Sequence, residues 1–74
     1  MGKERANATI EGWLRNNGYA TFEIFEVREM GGGNEVQLSA FFYTQREEKT
    51  ERKHVVLSLD KGYRVVGGYV EDVR

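Results

Sequence analysis

The chain has 74 residues, with 11 lysines and arginines against 12 acidic residues, a formal net charge of −1 and no cysteine. That length makes a single domain over residues 1–74, and the charge lacks the electrostatic footprint of a general nucleic-acid binder. Without cysteine there are no disulfide staples, thiolate zinc sites or cysteine nucleophiles. No apolar run reaches the ~18 residues of a membrane helix and no secretory pattern opens the chain, which leaves the cytoplasm as default location. Composition therefore points to a small soluble domain with no cofactor.

Ala6, Ile10, Trp13 and Leu14 fall at i, i+4, i+7 and i+8, one stripe of a 3.6-residue period, with Glu4, Arg5, Asn7, Glu11 and Arg15 between them. Asn16-Asn17-Gly18 follows, and Gly18 suits the left-handed residue that closes a helix. Gly12 is either tolerated within the helix or placed there to let it approach a sheet beside Trp13. After Gly18 the period becomes two. Ala20, Phe22 and Ile24 share one phase, but Phe25 and Val27 fall on the other, so a β-bulge is expected near Ile24 and Phe25.

Gly31-Gly32-Gly33-Asn34 reads as a turn. Val36, Leu38, Ala40 and Phe42 then alternate with Gln37, Ser39, Phe41 and Tyr43. Gln45 to Lys53 is nearly all polar or charged and is expected to be a solvated hairpin end. Val55, Leu57 and Leu59 alternate with His54, Val56 and Ser58. Asp60-Lys61-Gly62 makes a short hairpin in which Gly62 can take positive φ. A last strand runs from Tyr63 to about Val73, interrupted by Gly67-Gly68, a pairing that marks a kink or a close backbone approach. Connections this short make successive strands antiparallel neighbours. The expected fold is α+β: one N-terminal helix packed on a curved four-stranded antiparallel meander.

This α-β-β-β-β order resembles the cystatin-like architecture, and within it the C-terminal half of NTF2-like domains. The likeness is carried by Leu57-Ser58-Leu59-Asp60-Lys61-Gly62-Tyr63-Arg64-Val65-Val66, a strand, an acidic-glycine turn, then an aromatic, a basic and two β-branched residues. The resemblance implies the fold, and a partner in the form of a second copy, since NTF2-like relatives commonly pair sheet face to sheet face. It does not carry over an active site. The extra N-terminal helices that close the pocket of NTF2-like enzymes have no room here. The Gln-x-Val-x-Gly and Pro-Trp hairpins of cystatin inhibitors have no counterpart either, the first hairpin being Gly31-Gly32-Gly33-Asn34 and proline being absent. The bulge, the paired glycines and the missing proline and cysteine are also devices of a de novo designed curved-sheet protein, a reading opposed by Asn7, Thr9 and Gly12 in the helix.

Chemistry is sparse. His54 is the one histidine, so only an oxygen-rich metal site is open, and Glu23, Glu26 and Glu29 read more naturally as a charged outer face. Flanked by Arg52 and Lys53 and with no carboxylate adjacent in sequence, His54 reads as a surface histidine that pairs across strands. No nucleophile, base and orienting group come together, so no catalytic residue is assigned. Lys61 to Val66 begins like the aromatic strand motif of RNA-recognition domains, but Arg64 stands where glycine or alanine is needed. Asn7-Ala8-Thr9 matches a glycosylation sequon inside a helix, and the triple glycine opens no helix and so forms no phosphate loop.

One helix covers one face of such a sheet. Its stripe should meet Phe22, Ile24, Val36, Leu38, Phe42, Val55, Leu57 and Leu59. The other face then receives Phe41, Tyr43, Val56, Val66 and Tyr69, the candidate interface residues. Arginines 28, 46, 52 and 64 are placed to lay their stems over some of these. Aromatics beside arginine on a flat face match the composition of a protein interface. The expected function is a non-catalytic binding domain that forms a homodimer through this face or engages another protein, with no nucleic acid and no membrane. A scaffold without biochemical function, a small-molecule-binding or enzymatic NTF2-like domain, and a small protein inhibitor of phage type remain as alternatives.

Overall fold

The helix α1 (Lys3–Asn16) buries Ala6, Ile10 and Leu14, one side chain per turn, and this stripe ends where the helix does. The computed structural model describes residues 2–32 and 34–73. Asn17 is the C-cap and Gly18 takes φ +92°. The Tyr19 N–H then donates to the Leu14 carbonyl at 3.0 Å and the Gly18 N–H to that of Arg15 at 3.3 Å, the pair of bonds that defines a Schellman close. A Cβ on Gly12 would meet nothing within 4 Å, so this glycine serves no close approach.

Four strands follow, β1 (Phe22–Gly32), β2 (Glu35–Arg46), β3 (Lys49–Leu59) and β4 (Val65–Asp72), in one open sheet of order β1-β2-β3-β4. Each pairs antiparallel with the next. The helix lies on one face, where Leu38, Ala40 and Phe42 of β2 and Val55, Leu57 and Leu59 of β3 are buried with Ala6, Ile10 and Leu14. The expected meander and core are therefore present. The Thr44 hydroxyl, buried on the same face, donates to the Thr21 carbonyl at 2.9 Å and ties β2 to the segment entering β1.

Register settles the connections and the phase. The first bulge lies beyond Phe25: Phe25 is opposite Phe41 and Arg28 opposite Ser39, so Glu26 and Val27 together face Ala40. Glu26 supplies the extra residue with φ 52°, and Val27 packs on the core while Phe25 stays on the far face. Gly31 and Gly32 pair with Val36 and Glu35, so β1 continues through them, and Gly33 of the expected turn lies outside the described residues. The polar stretch 45–53 is the expected solvated hairpin end, with the strands paired almost to its tip. Arg46 pairs with Lys49, leaving Glu47-Glu48 as a two-residue turn at φ 50° and 66°. In the last hairpin the residue at positive φ is Tyr63 (62°), not Gly62, because a three-residue loop puts its left-handed position third.

Two left-handed glutamates form a turn that favours Asn-Gly, since both central residues of this hairpin type need positive φ. Each non-glycine residue there costs about 1 kcal/mol. Replacing Glu47 with Asn and Glu48 with Gly should stabilise the domain by about 1–2 kcal/mol, read as a higher urea midpoint at unchanged m. A midpoint unchanged or lowered would contradict the turn.

At the other hairpin, Asp60 Oδ1 accepts from the Arg64 N–H at 3.0 Å and the Gly62 N–H at 2.9 Å, and Arg64 Nε lies 3.4 Å from Oδ2. The Arg64 N–H chiefly, then that of Gly62 and the guanidinium charge, hold this carboxyl below its ordinary value of 3.8. A carboxyl lowered in the folded state contributes stability above its unfolded value and loses it as pH falls through the folded one. Asp60→Asn keeps an acceptor but not the charge. Its thermal midpoint should lie below that of the parent chain at pH 7, with the gap closing as pH falls below about 4. A gap independent of pH would remove the carboxylate from the argument.

Candidate interface on the open sheet face

Alternation and register place rows of side chains across the face that α1 does not touch. The central row is Phe25, Phe41, His54 and Glu71, one from each strand in order. Phe25 stacks on Phe41 with centroids 6.0 Å apart and on Tyr43 at 4.8 Å, and Phe41 lies 4.6 Å from the His54 ring. His54 Nδ1 lies 2.9 Å from Glu71 Oε1. Flanking rows are Glu23, Tyr43 and Arg52 on one side and Arg28, Ser39, Val56 and Tyr69 on the other. An aromatic centre is thus framed by Arg28 and Arg52 and by two carboxylates, Glu23 and the histidine's partner Glu71.

Four of the five residues assigned from sequence, Phe41, Tyr43, Val56 and Tyr69, share this face. Val66 stands apart. Leu59 pairs with Val65 and Ser58 with Gly67, so Val66 is the extra residue of a second bulge, 64% exposed at the sheet's edge. Tyr43 and Tyr69 are 39% and 54% exposed, whereas Phe41 and Val56 are half-buried by their neighbours. Of the four arginines expected to cover the face, Arg52 lies by the aromatics and lines a shallow hollow with Phe25, Glu26 and Phe41.

Two members of the site were not assigned from sequence. Phe25 was expected to turn inward at a bulge. Its phase, shared with Glu23, was the signal that it does not. His54 was expected to pair across strands, and it does so with Glu71, but its ring also extends the aromatic row. Among the described residues no three histidine, aspartate or glutamate side chains gather to hold a metal ion. Elsewhere, Lys53 on the helix side bonds Asp72 and lies 3.3 Å from Glu51 Oε2, and the Asp72 bond chiefly holds its ammonium above the ordinary value of 10.5. Hollows of about 440 and 410 Å³ flank the two ends of α1, and both open to solvent. No protein-family model, no curated protein and no solved structure matches this chain.

Proposed function

We propose that this chain is a non-catalytic binding domain of cystatin-like layout that self-associates through its open sheet face. The observation that carries the reading is the uncovered aromatic row: Phe25, Phe41, Tyr43 and His54 stack on one another with no helix above them. Both signs of charge frame that row, Arg28 and Arg52 with Glu23 and Glu71. A twofold pairing can therefore set each arginine near a carboxylate of the second copy. The four strands, spaced ~4.8 Å apart, share register over Lys53 to Leu59 of β3, which gives a plane of about 450 Å² per copy. Stable interfaces bury about 800 Å² of accessible surface per partner, so the face supports a reversible dimer rather than an obligate one.

Light scattering across concentrations tests it. Phe41→Glu with Val56→Lys puts charges into the centre of the face without aiming either at the helix. At matched concentration this variant should show a lower mass than the parent chain while keeping its circular dichroism. Equal masses for parent and variant at every concentration would overturn the reading. A parent chain that stays monomeric but gains thermal stability from a small molecule would favour the ligand-binding alternative.

A further inference from the structure

The sheet has two edges, and they are built differently. β1 is bulged at Glu26 and carries Glu23, Glu26, Arg28 and Glu29, all features that discourage another strand from adding. β4 carries no charge and no proline from Val65 to Val70. Its backbone phase follows from one hydrogen bond: the Val73 N–H donates to the Arg52 carbonyl at 3.1 Å. Hydrogen-bonded pairs alternate along an antiparallel ladder, so His54–Glu71, Val56–Tyr69 and Ser58–Gly67 are bonded pairs as well. Gly68 and Val70, lying between them, turn their N–H and C=O groups toward the open edge.

We propose that β4 pairs antiparallel with β4 of a second copy about a twofold through Gly68, continuing the sheet across both chains. A twofold perpendicular to the sheet keeps each side chain on its own face, so only residues of like phase can stand opposite each other. About Gly68 this condition is met throughout. Gly68 meets its counterpart as an outward-bonding pair. Gly67 faces Tyr69, both on the open face, and the ring covers the bare glycine backbone. The bulge at Val66 takes up one residue, so Val65 falls opposite Val70, both on the helix side, where their β3 partners are Leu59 and Val55. Arg64 then falls opposite Glu71. Symmetry makes that charge pair twice. A twofold through Val70 would leave Arg64 with no acidic residue opposite it. Within one copy Arg64 engages Asp60 through Nε and Glu71 engages His54 through Oε1. The terminal guanidinium nitrogens and Glu71 Oε2 are the atoms that reach across. The pairing uses the edge backbone and is independent of the aromatic face.

Amide hydrogen exchange by NMR at low and high concentration reads it residue by residue, best in the Phe41→Glu/Val56→Lys variant, whose open face is blocked. The Gly68 and Val70 amides should exchange fast when dilute and slow at least about tenfold when concentrated, while Gly67 and Tyr69 stay protected by β3 throughout. Arg64→Glu sets like charges opposite each other twice and should weaken the dimer about tenfold, and Arg64→Glu with Glu71→Arg should restore it. If the face variant does not fold, the parent chain with these charge exchanges gives the same readout. Gly68 and Val70 exchanging at one rate at all concentrations would overturn the proposal, even in a chain that dimerises, because face pairing leaves those amides open.

Discussion

Phe42→Ala should bring the domain close to unfolding at room temperature, while Phe41→Ala, one residue away, should leave it folded. Phe42 is fully buried, and its ring meets Tyr19 edge-on at 5.4 Å and Phe22 at 6.4 Å. Truncating such a ring removes its transfer free energy and leaves a cavity, together about 3–5 kcal/mol. Per-residue stabilities of ~0.05–0.15 kcal/mol give a chain of this length only about 4–11 kcal/mol in total. The loss is therefore about a quarter of the stability at least, and the whole of it at the lower end of that range. Phe41 is half-buried among Phe25, Tyr43 and His54 on the far face, with water already at its edge. Removing it opens no closed cavity and should cost about 1–2 kcal/mol. Urea unfolding of the two variants, followed through Trp13 fluorescence, checks the contrast. Equal costs would mean that the face away from the helix is packed as tightly as the core, and the interface reading would fall with that result.

The same alternation that separates Phe41 from Phe42 made most of the fold legible in the sequence. In β2 and β3 the apolar period of two runs from Val36 to Phe42 and again from Val55 to Leu59, and the register matches these two runs residue for residue. The helix was equally plain, because Ala6, Ile10 and Leu14 repeat every four residues and Gly18 supplies the left-handed close that glycine marks. What stayed hidden is local backbone. Among the described residues Glu26, Glu47, Glu48 and Tyr63 take positive φ, where sequence reasoning looks for glycine or asparagine. At each, sheet pairing on both sides outweighs the residue's own preference. The expected bulge accordingly falls just beyond Phe25, the solvated β2–β3 hairpin end closes on a two-residue turn, and the left-handed residue of the last hairpin is one position off. The site suffered for the same reason. With the bulge expected at Ile24 and Phe25 rather than just beyond them, that ring was not assigned to the open face, and the aromatic row lost its first member. The His54–Glu71 contact joins residues 17 apart on different strands, and only the β3–β4 register reveals it.

Gly68 and Gly67 are adjacent in β4, yet alanine at the two positions should act in opposite directions. A Cβ on Gly68 would stand 2.6 Å from Leu57 Cδ2 and 3.0 and 3.1 Å from Cζ2 and Cε2 of Trp13. Leu57 is fully buried and the indole is packed on the core, so neither can withdraw without opening space elsewhere. Overpacking of this kind costs about 1–3 kcal/mol, and Gly68→Val should lie at or above the top of that range. A Cβ on Gly67 meets nothing within 4 Å, and its φ is not in the left-handed region, so Gly67→Ala should be neutral or stabilising by about 0.4–1 kcal/mol through the unfolded chain. A double-mutant cycle identifies the partner. With Trp13→Ala in place, Leu57 can swing into the vacated indole volume, and Gly68→Ala should become cheaper by about 1–2 kcal/mol. Denaturant midpoints of the four chains give the coupling directly. A coupling near zero would show that Trp13 does not rest on the β4 backbone, and that the second glycine of the pair is there for some reason other than the seat of the helix.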